Sequence, residues 1–87
     1  QNETEEIVES LQPRFMSVLL LDDSAAVGQK LGESALGEFN VEVNAVRRRG
    51  VRGAQPSEEM LLQTGDVLVL FGLPEELQQA EERLHKG

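Results

Sequence analysis

The chain has 87 residues, a formal net charge of -8 and no cysteine. This length allows one small domain with a modest core, and the lack of cysteine excludes disulfides, thiolate metal sites and a cysteine nucleophile. The acidic charge argues against nucleic-acid binding, which depends on neutralising phosphates. No apolar run approaches the roughly 18 residues that a membrane helix needs, so we expect a soluble chain without direct membrane insertion.

The first residues predict a short helix over 2–12 that Pro13 ends. Its apolar residues are too few to hold so short a helix on their own, so it must dock on something or fray. We interpret residues 1–14 as a linker helix from an upstream domain, with a binding helix as the alternative. Because the chain begins at Gln1 without a methionine, we expect it to be a piece of something longer.

Residues 15–21 predict the first strand, apolar enough to be buried on most of both faces. The acid pair Asp22-Asp23 follows it. One such pair lacks the spaced ligand set of a calcium loop, so we interpret these residues as solvated loop acids.

Residues 29–36 predict a short helix with Gly37 as its C-cap. Glycines interrupt the apolar spacing and keep the helix short, because glycine disfavours a helix interior. Gly28 and Gly32 would also let another part of the backbone approach closely, and we expect tight packing of this segment against the domain's own sheet.

Residues 41–48 predict a half-buried strand, because apolar and polar residues alternate at its start. A tight turn at Arg49-Gly50 leads into a short, weak strand over 51–54, so we expect a hairpin. The hairpin holds half of the basic residues of the chain: Arg47, Arg48, Arg49 and Arg52.

These four arginines form a candidate anion patch for a nucleotide phosphate, an acidic partner surface or lipid headgroups. The alternative is a solvated hairpin tip whose charge protects an exposed edge strand from pairing. As a surface feature, the patch is expected to tolerate charge reversal at Arg47, Arg48 and Arg49 without loss of the fold.

The strongest strand is residues 67–71, five consecutive apolar residues between Gly65-Asp66 and Gly72. An uninterrupted run of this kind predicts a central strand that is covered on both faces. We expect Asp66 to act structurally, with its carboxylate accepting hydrogen bonds from backbone N–H groups of the preceding turn.

The best-specified helix begins at Pro74 and continues to the end of the chain, with an apolar stripe along one side. His85, the only histidine, lies in the last turn of this helix. An interaction with the helix dipole is a simpler role for it there than catalysis. The following serines lack a histidine partner in a plausible triad: Ser24, Ser34 and Ser57. We therefore predict no catalytic residue, no metal site and no bound cofactor.

Together these elements predict an α+β fold. A small, mainly antiparallel sheet of about four strands carries a short helix and a C-terminal helix, and an N-terminal linker helix precedes it.

The ordered set of motifs resembles the C-terminal domain of RCK (regulator of conductance of potassium) proteins, the TrkA-C domain. The motifs are GQKLGESAL from Gly28, VEVNAVRRRG from Val41, the proline Pro56, and LQTGDVLVLFG from Leu62. The likeness covers about residues 15–86. The segment AVRRRGVRG is most similar to the C-terminal tails of Kef-type monovalent cation/proton antiporters from bacteria.

The resemblance implies that residues 15–87 are a regulatory domain on the cytoplasmic side of the bacterial inner membrane. It implies a homodimer, covalently linked to an upstream membrane domain that transports potassium or another monovalent cation, with cation/proton antiport as the specific form. The alternative is the same regulatory domain on a soluble transcription factor or enzyme.

Some members of this family bind a nucleotide-type regulatory ligand, including a cyclic dinucleotide, in a cleft between two such domains. The matching positions form a candidate ligand and dimer cleft: Leu31, Gly32, Leu36, Phe39 and Pro56. Cyclic-dinucleotide binders tend to carry an arginine in the short helix, where this sequence has only Lys30. The resemblance therefore leaves the ligand unassigned.

Overall fold

The computed structural model describes residues 11–34, 36–51 and 55–87. The linker helix predicted over 2–12 falls almost wholly outside these residues. Within them, no helix has the length and apolar character needed to span a bilayer.

A three-stranded antiparallel sheet forms the centre of the fold. Its strands are β1 (Arg14–Leu19), β2 (Glu42–Arg47) and β3 (Val67–Gly72), arranged in the order β1-β3-β2. The predicted α+β class, the antiparallel pairing and the central position of the apolar strand after Asp66 are confirmed.

The described residues contain three of the about four strands that the sequence predicts. Of the weak strand predicted over 51–54, only Val51 is described, and it forms an antiparallel bridge with Arg48. Gly50, at φ 77°, makes the turn between these two residues. Residues 52–54 lie outside the described ranges, so the strand over 51–54 stays a prediction.

One face of β3 is in the core and the other is not. Leu68 and Leu70 are completely buried, whereas Val67, Val69 and Phe71 on the opposite face are half-buried. The expectation that both faces of this strand are covered is therefore met on one face only within the described residues.

The helix predicted from Pro74 is confirmed as α1 (Pro74–Lys86). Pro74 sits in its first turn, where the missing N–H would have no intrahelical partner. Its apolar stripe is buried in the core: Leu77, Ala80 and Leu84. These side chains pack in the core with Val18 of β1 and with Leu20, the residue just after that strand.

The α-helix predicted over 29–36 is wrong. Two short 3-10 helices occupy the region, η1 (Leu31–Glu33) and η2 (Leu36–Phe39). Lys30, just before η1, is extended, and the N–H groups of Gly28 and Gly32 donate to the carbonyls of Leu62 and Glu58 rather than to a helical turn.

Residues 28–32 lie antiparallel beside residues 58–62, with a bridge between Lys30 and Leu61. A Cβ atom at Gly32 would stand only 3.0 Å from the Cβ of Glu58 and 3.2 Å from its carbonyl oxygen. The expected close backbone approach is therefore found at Gly32, although the neighbour is the 58–62 segment rather than a strand of the sheet.

Gly37 does not cap a helix, because it lies inside η2. The left-handed position that ends this turn is occupied by Asn40, at φ 58°. Asparagine tolerates this conformation better than other residues with a side chain, so it serves where a glycine was expected.

Candidate functional site

A cleft of about 280 Å³ lies between η1, η2, the start of β2 and residues 56–58. Four of the five predicted cleft residues line it, namely Leu31, Gly32, Leu36 and Pro56. The rest of the lining comprises Gly37, Val41, Val43, Ser57 and Glu58. Leu31 and Leu36 belong to the core and hold the apolar floor in place.

The chemical character of the cleft follows from this lining. Its walls are mostly apolar, and its polar groups are a serine hydroxyl at Ser57 and a carboxylate at Glu58. The described lining holds no lysine or arginine. Lys30, the nearest cation in the sequence, forms an exposed ion pair with Glu59, with Nζ and Oε1 at 3.0 Å. Such a cleft suits an uncharged ring or an apolar group better than a phosphate.

Phe39 does not join the cleft. Its ring packs beside α1, where the guanidinium carbon of Arg83 lies 5.2 Å from the ring centroid. Arg83 is also 3.6 Å from a carboxylate oxygen of Glu38. The cation–π contact and this ion pair make Phe39 part of the packing between η2 and α1.

Asp66 forms the strongest polar cluster of the described residues. It is 1% exposed, and its two carboxylate oxygens accept a bidentate pair of hydrogen bonds from Arg48, at 2.9 Å from Nε and 2.8 Å from Nη2. The backbone N–H of Gln63 also donates to Asp66, at 2.9 Å. Arg48 Nη2 donates further to the carbonyl of Leu61, at 2.8 Å.

The predicted structural role of Asp66 in its turn is confirmed by the Gln63 hydrogen bond, but sequence reasoning missed Arg48. A signal was present, because Arg48 lies two residues after the buried Val46, and residues two apart on a strand share a face. The pair fastens the end of β2 and the 61–63 segment to the turn before β3.

Burial alone raises the pKa of Asp66. The hydrogen bonds from Arg48 and Gln63 outweigh it, so the pKa of this carboxyl lies below its ordinary value. The hydrogen bond to Asp66 raises the pKa of the Arg48 guanidinium, against the opposing effect of its desolvation. Both groups are therefore charged at neutral pH.

The candidate anion patch is divided by this pair. Arg47 and Arg49 are exposed, Arg48 is committed to Asp66, and Arg52 lies outside the described residues. The expectation that Arg48 is a replaceable surface charge is therefore wrong, because reversing it would leave the carboxylate of Asp66 buried beside a second negative charge.

Ser24 has a histidine partner, contrary to the prediction. The Oγ of Ser24 lies 2.8 Å from Nδ1 of His85, although 61 positions separate the two residues. Ser24 is buried, and its Oγ also accepts the N–H of Leu21. His85 is in the last turn of α1, as predicted.

This contact has a structural explanation. The N–H groups of Ala25 and Ala26 donate to the carbonyls of His85 and Leu84, so the 24–26 loop caps the C-terminal end of α1. The bond between Ser24 and His85 strengthens the same junction. Among the described residues, no group of three or more acidic or histidine side chains could hold a metal ion.

Comparison with known proteins agrees with the fold. The TrkA-C domain family matches residues 15–85. The chain therefore belongs to the TrkA-C domain family, as the resemblance of its motifs indicated.

A relative from Alkalimonas amylolytica is 41% identical over 69 residues, which are 79% of this chain. Its name is "Putative K(+) efflux antiporter KefB". The chain spans 10% of the length of that relative. The similarity to a Kef-type protein that was indicated by the AVRRRGVRG motif is thus confirmed.

Proposed function

We propose that this chain is the cytoplasmic regulatory domain of a monovalent cation transporter, of the potassium/proton antiporter type. The observation that carries the proposal is the 41% identity to a protein named as a K(+) efflux antiporter, over most of this chain and a tenth of that relative. A domain of this size in so long a protein is suited to regulate rather than to transport.

The reading frame around this chain gives the direct test. We expect it to encode about ten apolar segments of about 20 residues each, the length that spans a bilayer. A frame that encodes a DNA-binding or catalytic domain in place of these segments would favour the alternative host, a soluble transcription factor or enzyme.

The regulatory step would be linkage between a ligand and the gate of the transporter. A ligand that prefers one arrangement of two regulatory domains shifts the transporter by the difference between its affinities for the two states. The cleft lined by Leu31 and Pro56 supports this role, because it is mostly apolar and adjoins the short 3-10 helices η1 and η2.

A thermal-shift screen with adenine nucleotides and cyclic dinucleotides tests the cleft. A ligand present at 100 times its Kd adds about 2.7 kcal/mol to the free energy of unfolding. Since the described lining has no basic side chain, we expect nucleosides and other uncharged rings to raise the Tm more than nucleotides of the same base.

The Gly37→Leu variant gives the matching negative test. A Cβ at Gly37 meets nothing within 4 Å, so the leucine fills the mouth of the cleft without a clash. We expect this variant to keep its Tm and lose the ligand shift. Gln63→Leu adds a similar side chain at an exposed position away from the cleft and serves as the control. A shift that survives Gly37→Leu would exclude the cleft as the ligand site.

A further inference from the structure

The loop of residues 21–26 meets the C-terminal end of α1 in a set of hydrogen bonds. The backbone N–H groups of Ala25 and Ala26 donate to carbonyls in the last turn of α1, both at 3.0 Å. The side chains of Ser24 and His85 meet at the same place, with Oγ and Nδ1 at 2.8 Å. We call these contacts the Ser24–His85 joint. Because it contains the only histidine of the chain, a single proton can change a tertiary contact here.

The serine hydroxyl fixes the direction of its hydrogen bond with the ring. Ser24 Oγ already accepts the N–H of Leu21, at 2.8 Å. A hydroxyl has one hydrogen to donate, and among the described residues its acceptor is Nδ1 of His85. Nδ1 therefore carries no proton in the closed joint, and the imidazole is neutral with its proton on Nε2.

A proton on Nδ1 destroys this match. The N–H of the ring and the O–H of Ser24 would then be two donors that face each other, so the hydroxyl would have to turn away. Ser24 is 5% exposed, and a hydroxyl that turns away there loses its hydrogen bond without gaining one from water. His85 is half-buried, so its charged ring can move out to solvent instead. The joint is therefore stable with a neutral ring and weak with a charged one.

The other charged groups around the joint keep their charges while a histidine titrates. They come from the loop, from α1 and from η2, and they are Asp22, Asp23, Glu81, Glu82, Lys86, the terminal carboxylate of Gly87, and Glu38 in its ion pair with Arg83. Strand β1 adds only Arg14, beside the start of α1, and β3 adds none. Carboxylate, ammonium and guanidinium groups ordinarily stay charged between about pH 5.5 and about pH 8, whereas an imidazole changes its charge there.

Backbone hydrogen bonds connect the joint to the wall of the cleft. The N–H of Gln29 donates to the carbonyl of Ala26, and the N–H of Leu62 donates to the carbonyl of Gln29. Leu31 follows two residues later and lines the cleft. Release of the loop would therefore remove a support of the segment that leads into η1.

We propose that the Ser24–His85 joint is a proton-sensitive switch built into this domain. It holds the 21–26 loop against the end of α1 while the imidazole is neutral, and it releases the loop when the imidazole takes up a proton. The contacts of this chain alone carry the inference. Failure of the proposed function, or of ligand binding in the cleft, would leave it unaffected.

Amide hydrogen exchange, followed by NMR on the 87-residue chain, tests the switch. We expect the protection of the Ala25 and Ala26 amides, corrected for the intrinsic exchange rate at each pH, to fall about threefold to tenfold between about pH 8 and about pH 5.5, since one hydrogen bond is lost. The amide of Leu77, which donates to Leu73 in the first turn of α1, should keep its protection and serves as the internal reference.

The His85→Asn variant removes the titration and keeps an acceptor. The side-chain oxygen of asparagine can stand in for Nδ1, and it binds no proton in this pH range. We expect the amides of Ala25 and Ala26 to have the same protection at both pH values in this variant.

A matched pair of serines tests the hydroxyl. Ser24→Ala should remove the pH dependence of protection at the joint, because the orphaned hydroxyl is what makes the charged ring unfavourable. Ser34 is also buried, but its Oγ donates to the carbonyl of Leu31, at 2.6 Å. Ser34→Ala should therefore keep the pH dependence. Thermal unfolding confirms that both variants fold.

The ring nitrogens of His85 give a second readout, because their NMR shifts report which nitrogen carries the proton. We expect the neutral ring to be protonated at Nε2. The proposal would be overturned by a neutral ring protonated at Nδ1, by wild-type protection at the joint that is equal at both pH values, or by a pH dependence that persists in His85→Asn.

Discussion

At the scale of single residues, the pair Arg48–Asp66 is the polar contact on which the fold most depends. The Asp66 side chain is 1% exposed and that of Arg48 is 24% exposed. Removing one member of a buried pair leaves the other charge without a partner in a site that water reaches poorly.

We expect Arg48→Ala to lower the free energy of unfolding by about 2–3 kcal/mol, less than the about 3–5 kcal/mol of a fully buried pair because Arg48 is partly exposed. Urea unfolding at neutral pH measures the loss. Arg49→Ala, at an exposed position next in the chain, should change the stability by no more than about 0.5 kcal/mol. Equal losses of stability in Arg48→Ala and Arg49→Ala would mean that the Arg48–Asp66 ion pair contributes nothing to the free energy of unfolding.

The lowered pKa of Asp66 predicts how stability depends on pH. A group whose pKa is lower in the folded state stabilises the fold above its unfolded-state pKa, about 3.9 for aspartate, and loses that contribution as the pH falls through the folded-state value. We expect the stability difference between the wild type and Asp66→Asn to be largest near neutral pH and to shrink in acid. Urea unfolding at a series of pH values from neutral to acid measures this stability difference. A difference that stays constant with pH would contradict the role of a charged Asp66.

At the scale of the elements, Asn40 shows how a turn selects its residue. Its φ of 58° is a left-handed conformation that β-branched side chains strongly disfavour. We expect Asn40→Gly to keep or slightly raise the stability, and Asn40→Val to lower it by about 1–2 kcal/mol. The comparison of the two melting curves isolates the effect of backbone conformation, because the Asn40 side chain is exposed and buries little surface. Similar losses in both variants would point instead to a side-chain contact.

The segment 28–36 shows the limit of local patterns. Its apolar spacing is compatible with an α-helix, yet the backbone groups of residues 28–32 pair with residues 58–62, and only a short 3-10 turn forms at Leu31–Glu33. A segment some 30 positions away thus decides between helix and strand-like pairing, and local propensity is too weak to prevent it. Gly32 is what permits the pairing, since a side chain there would collide with Glu58.

At the scale of the whole molecule, self-association links stability to protein concentration. If two chains associate, the folded state is stabilised by mass action and the Tm rises with chain concentration. We expect this dependence in the wild type, measured by calorimetry over a wide concentration range. A Tm that is independent of concentration in the wild type would argue for a stable monomer.

The sequence by itself determined the elements whose signals are local and strong. The apolar run of β3 and the proline and apolar stripe of α1 were predicted with nearly correct ends, because burial imposes a period that composition displays directly. The ordered motifs also indicated the family that matches residues 15–85. Four residues of the candidate cleft were placed by that resemblance, and they do lie together.

Only the tertiary structure decided which distant groups meet. The bonds from Arg48 to Asp66 and from Ser24 to His85 join positions 18 and 61 residues apart, and no local period reports such contacts. The same holds for the two faces of the sheet. An apolar strand can be covered on both sides, but the sequence does not say that, within the described residues, α1 packs against only one of them. That choice depends on the path of the whole chain, since a single helix can pack against only one face.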